Sequence, residues 1–219
     1  MIIDRAYFIQ ANTVLLPVPH APEIRLYVAD EVTDLWHKTE EDLERIGLAP
    51  PFWAFAWAGG QGLARYILDH PELVRGKRVL DFAAGSGLVS IAAMMAGAQS
   101  AEAVDIDAFS VEAVRLNAAV NGVTVDIRCA NIVGQTGAWD IVLAGDICYD
   151  RDMVALVLPW LKDLHRSGME VVIGDPGRAF LPKADLLELA EYRVATTRAI
   201  EDTEVKRTKV FQLLAPSGD

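Results

Sequence analysis

Three aspartates each follow a short apolar segment, as residues at the ends of successive β-strands would. Asp81 follows the segment RVL at 78–80, Asp105 lies near the end of AEAVDI at 101–106, and Asp146 follows WDIVLAG at 139–145. In an open α/β sheet, ligands bind outside the carboxyl ends of the parallel strands. The three carboxylates are therefore predicted to lie along one edge of a sheet, where they could bind cationic or hydroxyl-bearing parts of a ligand.

A turn of small residues follows Asp81. The segment 83–87 reads AAGSG, and the apolar helical pattern that begins at Leu88 is ended by Gly97. Small residues let the backbone approach a ligand closely, and the N-terminus of the helix presents unpaired N–H groups to it. The turn taken alone is equally compatible with a connection that only packs the helix on the strand.

The acid at the start of this turn distinguishes between two nucleotide ligands. A pyrophosphate cofactor is typically bound by G-x-G-x-x-G without a carboxylate in its way, whereas this chain has A-x-G-x-G preceded by Asp81. A carboxylate attracts the ammonium and sulfonium groups of S-adenosylmethionine (SAM), which has no phosphate. Asp105 lies about 20 residues past the glycines, where a ribose-binding carboxylate is expected. Its alternative role is an N-cap, for which Asp107 and Ser110 are better placed.

Two further segments contain candidate ligand contacts. In PPFWAFAWAGGQGLARYIL at 50–68, three glycines interrupt a helical pattern and weaken it by up to about 1 kcal/mol each, so another segment is expected to approach closely. Trp53 and Phe55 are interpreted as core residues and Trp57 as a contact to the cofactor. Asn131, which follows a third predicted strand at 123–128, could hydrogen-bond adenine; the alternative is an ordinary turn asparagine.

The remaining patterns predict an α/β protein. Further predicted strands span 23–29 and 169–174, and further predicted helices span 34–46, where Thr33 is the N-cap, 109–120, 151–166 and 181–190. Segments 192–200 and 205–214 predict an antiparallel hairpin at the sheet edge, joined by a turn at 201–204. The first 22 residues are interpreted as irregular. We expect an N-terminal cap at 1–48 and one larger domain at 49–219.

Size and composition restrict the class of protein. The 219 residues, 52% of them hydrophobic, suffice for one sizeable domain with a small addition. The first residues resemble neither a signal nor a transit peptide, and two cysteines cannot form a disulfide framework or a usual zinc site, so a cytoplasmic location is expected. A net charge of −11 without a basic cluster argues against nucleic acid. It suits a lysine-rich partner, although many soluble proteins are simply acidic.

The order of these elements resembles the seven-strand SAM-dependent methyltransferases. More narrowly, it resembles the protein-lysine methyltransferases that have an acid-x-x-tyrosine motif after the fourth strand, here Asp146 to Tyr149, including those that act on the β subunit of electron transfer flavoprotein. The resemblance covers roughly residues 23–214, and its motifs are PFWAFAWAGGQGLARYIL, LDFAAGSGLVSIAA, VDIDAFSVEAVRLNAAVNG, AGDICYD and GDPGRAFLP. One departure is Ala83, where many methyltransferases have glycine, although alanine still leaves room for a ligand.

The resemblance implies a Rossmann-like, mostly parallel seven-strand sheet with an antiparallel C-terminal hairpin strand. It also implies SAM as cofactor, S-adenosylhomocysteine as product, no metal, and a protein substrate, electron transfer flavoprotein β subunit, bound by a monomer. The residues that it assigns to the cofactor are Asp81, Gly85 and Gly87 at the methionine end, Asp105 at the ribose, Ile106 and Asn131 at the adenine, Trp57 in the wall, and Ala83 and Ala144 as further contacts. Asp146 and Tyr149 are assigned to catalysis, facing the substrate lysine.

The implied reaction must deprotonate a lysine. A free lysine has a pKa near 10.4, so its neutralisation at pH 7 costs roughly 4–5 kcal/mol, and a carboxylate beside the ammonium would raise this pKa further. Our hypothesis is that Asp146 docks and orients the amine, while Tyr149 adds a hydrogen bond or an aromatic wall. The sulfonium and burial would lower the amine pKa, and the proton would leave to water. The alternative role of Tyr149 is to pack the start of the next helix.

Other functions remain open at this point. A small-molecule N-methyltransferase would use the same core, and so would a methyltransferase of another protein such as a ribosomal protein. A nucleic-acid amino-methyltransferase is disfavoured because no Asn-Pro-Pro-aromatic motif follows the fourth strand. A binding module without chemistry is disfavoured by the three acids. A dinucleotide-dependent oxidoreductase is disfavoured by the glycine spacing.

Overall fold

The structure, a computed structural model, describes residues 4–30, 33, 35, 49–196 and 205–214. Its helices are α1 Arg5–Asn12, α2 Ala58–Asp69, α3 Leu88–Met95, α4 Ala108–Val120 and α5 Arg151–Arg166, with short 3-10 turns at Phe52–Ala54, Pro71–Leu73 and Lys183–Asp185. Its strands are β1 Val14–Val18, β2 Ala21–Val28, β3 Arg78–Phe82, β4 Ser100–Asp105, β5 Asp126–Cys129, β6 Ile141–Gly145, β7 Glu170–Asp175, β8 Leu186–Ala195 and β9 Val205–Leu213.

Seven strands form one sheet in the order β5-β4-β3-β6-β7-β9-β8. Strands β3 to β7 are parallel, and β9 is antiparallel to both of its neighbours. The strand order reverses between β3 and β6, and in this register Phe82 of β3 lies between Val104 of β4 and Ala144 of β6. The predicted fold class is thereby confirmed, and the ends of β3, β4 and β6 meet at the switch point where such sheets bind ligands.

The predicted helix at 181–190 is wrong. After the short turn Lys183–Asp185 the chain enters β8, which pairs with β9 from Leu186 opposite Leu213 to Ala195 opposite Val205. Leucine, glutamate and alanine favour a helix locally, but pairing with a neighbouring strand, with one register shift between Glu188 and Ala190, outweighs that preference. The predicted antiparallel pairing is confirmed, but the first strand begins at Leu186 and ends at Ala195, whereas 192–200 was predicted; residues 197–200 lie outside the described part of the chain.

The N-terminal segment is also more regular than predicted. Asp4 accepts a hydrogen bond from the Tyr7 N–H and so caps α1, and β1 pairs with β2 as a separate two-stranded hairpin. The predicted strand at 23–29 is confirmed within β2. The predicted helix at 34–46 and the predicted turn at 201–204 lie outside the described residues.

The N-terminal hairpin packs against the larger domain. Val18, Ile24 and Leu26 are buried in the same cluster as Leu63 of α2 and Ile91 of α3. A shared core of this kind stabilises both parts together. The division of the chain at residue 48 stays a prediction.

Helix α2 crosses the sheet at very short distance, as its glycines predict. A Cβ atom at Gly59 would lie 2.4 Å from the Gly174 carbonyl oxygen of β7, and one at Gly62 would lie 2.5 Å from Thr208 Cγ2 of β9. Because glycine has no Cβ, the helix can rest directly on these strands. This contact brings the N-terminus of α2 to the carboxyl edge of the sheet.

Candidate active site

The N-terminus of α2 is capped by a side chain from a distant strand. Its own N-cap residue, Trp57, forms no side-chain capping hydrogen bond. Instead Asp146 Oδ2 accepts a hydrogen bond of 2.8 Å from the Gly60 N–H. Asp146 follows β6 in a left-handed conformation with φ of 57°, and its N–H donates to the Gly174 carbonyl at 2.9 Å. The carboxylate is therefore held in one place beside Trp57.

The other oxygen of the same carboxylate pairs with an arginine that sequence reasoning did not single out. Arg178 donates to Asp146 Oδ1 from Nη2 at 2.7 Å and from Nε at 3.2 Å. Its guanidinium carbon lies 5.6 Å from the centroid of the Trp57 ring, within the range of a cation–π contact. The arginine thus contacts two of the predicted site residues at once.

The turn after β7 sets the position of this arginine. Asp175 is fully buried at the end of β7, and its Oδ1 accepts hydrogen bonds of 2.7 Å from the N–H groups of Gly177 and Arg178. These bonds close a turn over the segment DPGR at 175–178. The signal in the sequence was an arginine three positions after a fourth strand-end acid, in the motif GDPGRAFLP.

Burial dominates the ionisation of Asp146. It raises the pKa of this carboxyl to about 6, against the opposing effects of the Arg178 charge and the Gly60 N–H. The neighbouring charge of Asp175 raises it as well. Asp146 is therefore ionised at neutral pH and paired with Arg178.

An aromatic group adjoins this ion pair through Trp57; we use the term for Phe52, Phe55, Trp57 and Tyr149. The Phe52 ring lies 6.0 Å from Trp57 and 5.7 Å from Tyr149 between centroids, and Phe55 lies 5.6 Å from Trp57. Trp57 Nε1 also donates to the Phe52 carbonyl at 2.8 Å. Phe52 and Tyr149 are each 48% exposed, which leaves an apolar surface open to solvent. Sequence reasoning missed Phe52, although it lies in the aromatic segment 52–57.

The two aromatic residues that were predicted to lie in the core, Trp53 and Phe55, differ in burial. Trp53 is buried and stacks on Phe109 with ring centroids 5.9 Å apart, so its core assignment is confirmed. Phe55 is half-buried and belongs to the aromatic group as much as to the core.

The glycine-rich turn lies over Asp81. This carboxylate is buried and accepts a hydrogen bond of 2.8 Å from the Ser90 N–H of α3. Burial raises its pKa to about 7, against the hydrogen bonds from Ser90, and the charge of Asp105 adds to the rise. Ala83, Gly85 and Gly87 all have positive φ, at 55°, 52° and 78°. Ala83 therefore occupies a conformation that normally favours glycine.

Asp105 ties this turn to the next strand. Its Oδ2 accepts a hydrogen bond of 2.9 Å from the Gly85 N–H, and its Oδ1 accepts one of 3.0 Å from the Asp107 N–H. The N-cap of α4 is Asp107, as the sequence favoured, so Asp105 is not used for that purpose. Burial raises the pKa of Asp105.

The remaining predicted cofactor residues lie in different surroundings. Ile106, directly after Asp105, is 77% exposed and offers an apolar surface beside the carboxylate. Asn131 is exposed, and its Oδ1 accepts from the Val133 N–H, which is a turn contact that leaves its amide N–H groups for a ligand. Ala144 is fully buried in β6, so its side chain lies beneath the site and not on its surface. The contacts of these residues with a cofactor stay predictions.

The cofactor half of the site fits a cationic nucleoside without phosphate. A Cβ atom at Gly85 would meet no atom within 4 Å, so the turn is open on that side. Two carboxylates, Asp81 and Asp105, flank it, and Ile106 lies next to them. Carboxylates beside such a turn favour an ammonium or sulfonium group and can accept hydrogen bonds from the hydroxyl groups of a ribose. Within the described residues, no cluster of three or more His, Cys, Asp or Glu side chains could hold a metal ion.

The two halves of the site are close enough to interact. Burial raises the pKa of Tyr149, and the charges of Asp150 and Asp105 raise it further, against that of Arg178. Asp105 of the cofactor half therefore acts electrostatically on the aromatic group.

Comparison with known proteins identifies the class. The family model for ribosomal protein L11 methyltransferase (PrmA) matches residues 66–150. Magnesium protoporphyrin IX methyltransferase from Synechocystis, solved with bound SAM, has the same fold with a TM-score of 0.54 at 14% identity, covering 85% of this chain and all of that chain. Strand order, strand-end acids and glycine-rich turn together define a SAM-dependent methyltransferase.

Two relatives identify the family within this class. The electron transfer flavoprotein β subunit lysine methyltransferase of Xenopus laevis is 40% identical over 202 residues, covering 89% of this chain and 81% of the relative. The mouse protein of that name is 37% identical over 217 residues, covering 94% and 83%. This chain belongs to the electron transfer flavoprotein β subunit lysine methyltransferase family.

Proposed function

We propose that this protein transfers methyl groups from SAM to lysine side chains of the β subunit of electron transfer flavoprotein. The observation that carries the proposal is the position of Asp146 and Tyr149. They form the acid-x-x-tyrosine motif at the switch point of the sheet, where Asp146 pairs with Arg178 and Tyr149 belongs to the exposed aromatic group. The names of the relatives support this substrate.

The cofactor would be held by the residues around the glycine-rich turn. Asp81 and the open backbone of the turn at Gly85 and Gly87 would hold the methionine end, Asp105 the ribose, and Ile106 one face of the adenine. When bound, SAM supplies a methyl group; the lysine nitrogen forms the new N–C bond as the C–S bond breaks, and the sulfur keeps the electron pair. The cofactor product is S-adenosylhomocysteine.

The chain's own residues would align the lysine and exclude water. Phe52, Trp57 and Tyr149 present apolar faces to the lysine stem, and the aromatic faces favour a cationic head group during approach. Asp146 would accept a hydrogen bond from the amine and thereby orient its lone pair. Alignment and desolvation of this kind account for a large part of the rate of a bimolecular transfer. The lysine proton is lost to water before attack.

The family model for ribosomal protein L11 methyltransferase covers only part of the proposed site. The matched residues 66–150 contain Asp81, Asp105, Asp146 and Tyr149, but neither Phe52 and Trp57 on one side nor Arg178 on the other. The relatives from Xenopus and mouse extend over nearly the whole chain. Their identities of 40% and 37% support electron transfer flavoprotein over L11 as the substrate.

The experiment is intact-mass spectrometry of unmethylated electron transfer flavoprotein after incubation with this protein and SAM. We expect mass increments of whole methyl groups on the β subunit, strongly reduced in Tyr149→Phe and Asp105→Asn, and none on ribosomal protein L11. Isothermal titration calorimetry with SAM separates the two variants, because only Asp105→Asn should weaken cofactor binding.

Two results would contradict the proposal. Increments on L11 alone would replace the substrate but keep the reaction. SAM binding with no transfer to either protein, together with turnover of small amines, would favour the small-molecule N-methyltransferase. The cytoplasmic location and the monomeric state expected from the sequence stay predictions; among the described residues, no helix has the length and apolarity to cross a membrane.

A further inference from the structure

The reaction proposed above has an electrostatic difficulty at Asp146. Transfer requires the lysine as a neutral amine, and an ionised carboxylate next to it stabilises the ammonium form instead. In this protein that carboxylate already forms an ion pair with a cation. Arg178 Nη2 lies 2.7 Å from Asp146 Oδ1, with Nε of the same guanidinium at 3.2 Å.

The guanidinium also faces the surface on which the substrate lysine would lie. Its carbon is 5.6 Å from the centroid of Trp57, and the side chains of Arg178 and Asp146 are only 20% and 10% exposed. In a partly desolvated site, the charge of a neighbour acts strongly on an amine. The Asp146–Arg178 pair has no net charge, so it can orient an amine without favouring its protonation.

We propose that Arg178 is a positioning residue that compensates the charge of Asp146 and so lets the substrate lysine bind as a neutral amine. The inference rests on the proposed lysine methylation. The arginine does not take the proton. It removes the preference for the ammonium that Asp146 would otherwise create, while Asp146 keeps an oxygen lone pair for a hydrogen bond to the amine.

Other charged groups around Asp146 increase the need for a compensating cation. Among the described residues, the titratable side chains that act on this part of the site are Asp175 at the end of β7 with Arg178 after it, Cys148, Tyr149 and Asp150 after β6, and Asp105 at the end of β4. Apart from Arg178, each of these groups is negative or neutral at pH 7. Loss of the arginine would leave the lysine among three or more carboxylates.

The test is the pH dependence of kcat for methyl transfer to electron transfer flavoprotein, since kcat reports groups in the enzyme–substrate complex. In Arg178→Gln, the midpoint of the acidic limb should move upward by about 1–3 pH units, so that activity lost at pH 7 is partly recovered at pH 9. Arg178→Lys keeps the charge and should keep the midpoint near that of the unaltered enzyme. The matched control is Arg151→Gln, an exposed arginine that packs on Phe180, for which no shift is expected.

A double variant supplies a second test. In Arg178→Gln with Asp146→Asn, the uncompensated charge is gone, and the midpoint should return toward its original value although kcat stays low. A midpoint that does not return would overturn the inference. Equal shifts in Arg178→Lys and Arg178→Gln would do so as well, because charge would then not be the cause.

The remaining outcomes are also decisive. A lower kcat with an unchanged midpoint would make Arg178 purely structural, and a lower KM with an unchanged midpoint would make it a competitor of the lysine. No transfer by the unaltered enzyme, with SAM binding intact by calorimetry, would overturn the proposed function and this inference together. Transfer by the unaltered enzyme with an unshifted Arg178→Gln profile would overturn only the inference.

Discussion

Asp146 Oδ2 accepts a hydrogen bond of 2.8 Å from the Gly60 N–H, although the two residues are 86 positions apart in the chain. The bond caps a helix whose own N-cap residue is a tryptophan. It therefore connects a proposed catalytic carboxylate to the stability of α2 and to the position of Trp57. Stability and function at this site depend on the same contact.

The two glycines at the start of α2 are expected to respond oppositely to alanine. A Cβ atom at Gly59 would lie 2.4 Å from the Gly174 carbonyl oxygen and 2.6 Å from Asp146 Oδ2, whereas one at Gly60 has its nearest neighbour, Leu88 Cδ2, at 3.8 Å. Gly59→Ala should therefore destabilise the protein by about 1–3 kcal/mol through overpacking. Gly60→Ala should be neutral or stabilising by up to about 1 kcal/mol. Chemical denaturation of both variants tests this, and equal effects would contradict the packing of α2.

Asp81 is expected to reduce stability at neutral pH in the absence of cofactor. Its pKa rises from 3.8 to about 7 on folding, so the folded state binds the proton more tightly than the unfolded state does. Stability is then lost as pH rises from about 4 to 7, by at most ~4 kcal/mol. Asp81→Asn should remove this loss. The variant should therefore exceed the unaltered protein in free energy of unfolding by more at pH 8 than at pH 5, while its affinity for SAM falls. Denaturation at both pH values and calorimetry check the two parts.

Asp140 is the control for Asp81, because its pKa shifts in the opposite direction on folding. This exposed carboxylate pairs with Arg78, whose hydrogen bonds lower its pKa to about 2. Its contribution to stability is present above about pH 4 and disappears as pH falls toward 2. Asp140→Asn should therefore destabilise slightly at neutral pH without changing SAM affinity. A pH dependence like that of Asp81→Asn would show that burial is not the cause.

Phe52 is expected to contribute to substrate binding and not to cofactor binding. Its ring contacts Trp57 and Tyr149 and is half-exposed. Phe52→Ala should raise KM for electron transfer flavoprotein by about 3- to 30-fold, as expected for the loss of one aromatic contact. Tyr7→Ala, at an exposed aromatic residue of α1, is the matched control. An unchanged KM, or a loss of SAM affinity in Phe52→Ala, would remove the aromatic group from the lysine path.

Ile106 is expected to gain its packing partner only when the cofactor binds. It is largely exposed in the free protein, so Ile106→Ala should leave the unfolding free energy nearly unchanged. Covering this side chain with adenine is worth ~1.4 kcal/mol, and its truncation should weaken SAM binding about tenfold. Leu156→Ala, at an exposed leucine of α5, should have no effect on affinity. Calorimetry that finds equal affinities would place the adenine elsewhere.

The strand-end acids could be recognised from the sequence because each follows an apolar segment of strand length. The cofactor half could be predicted for the same reason, since Asp81, the glycine-rich turn and Asp105 all lie within one βαβ unit of 28 residues between 78 and 105. The helix predicted at 181–190 failed because its strand conformation depends on pairing with β9, a partner that local propensity does not report.

The sequence by itself determined the order of strands and helices from β3 to β7 and the presence of an acid at the ends of three of these strands, because both follow from hydrophobic periodicity and turn residues within short segments. Only the tertiary structure decided that Asp146 caps α2, that Arg178 neutralises it, and that Phe52 reaches Tyr149. These contacts join residues from the start, the middle and the end of the chain. Their geometry depends on the crossing of α2 over the strands and on a left-handed backbone at Asp146, which no local pattern specifies.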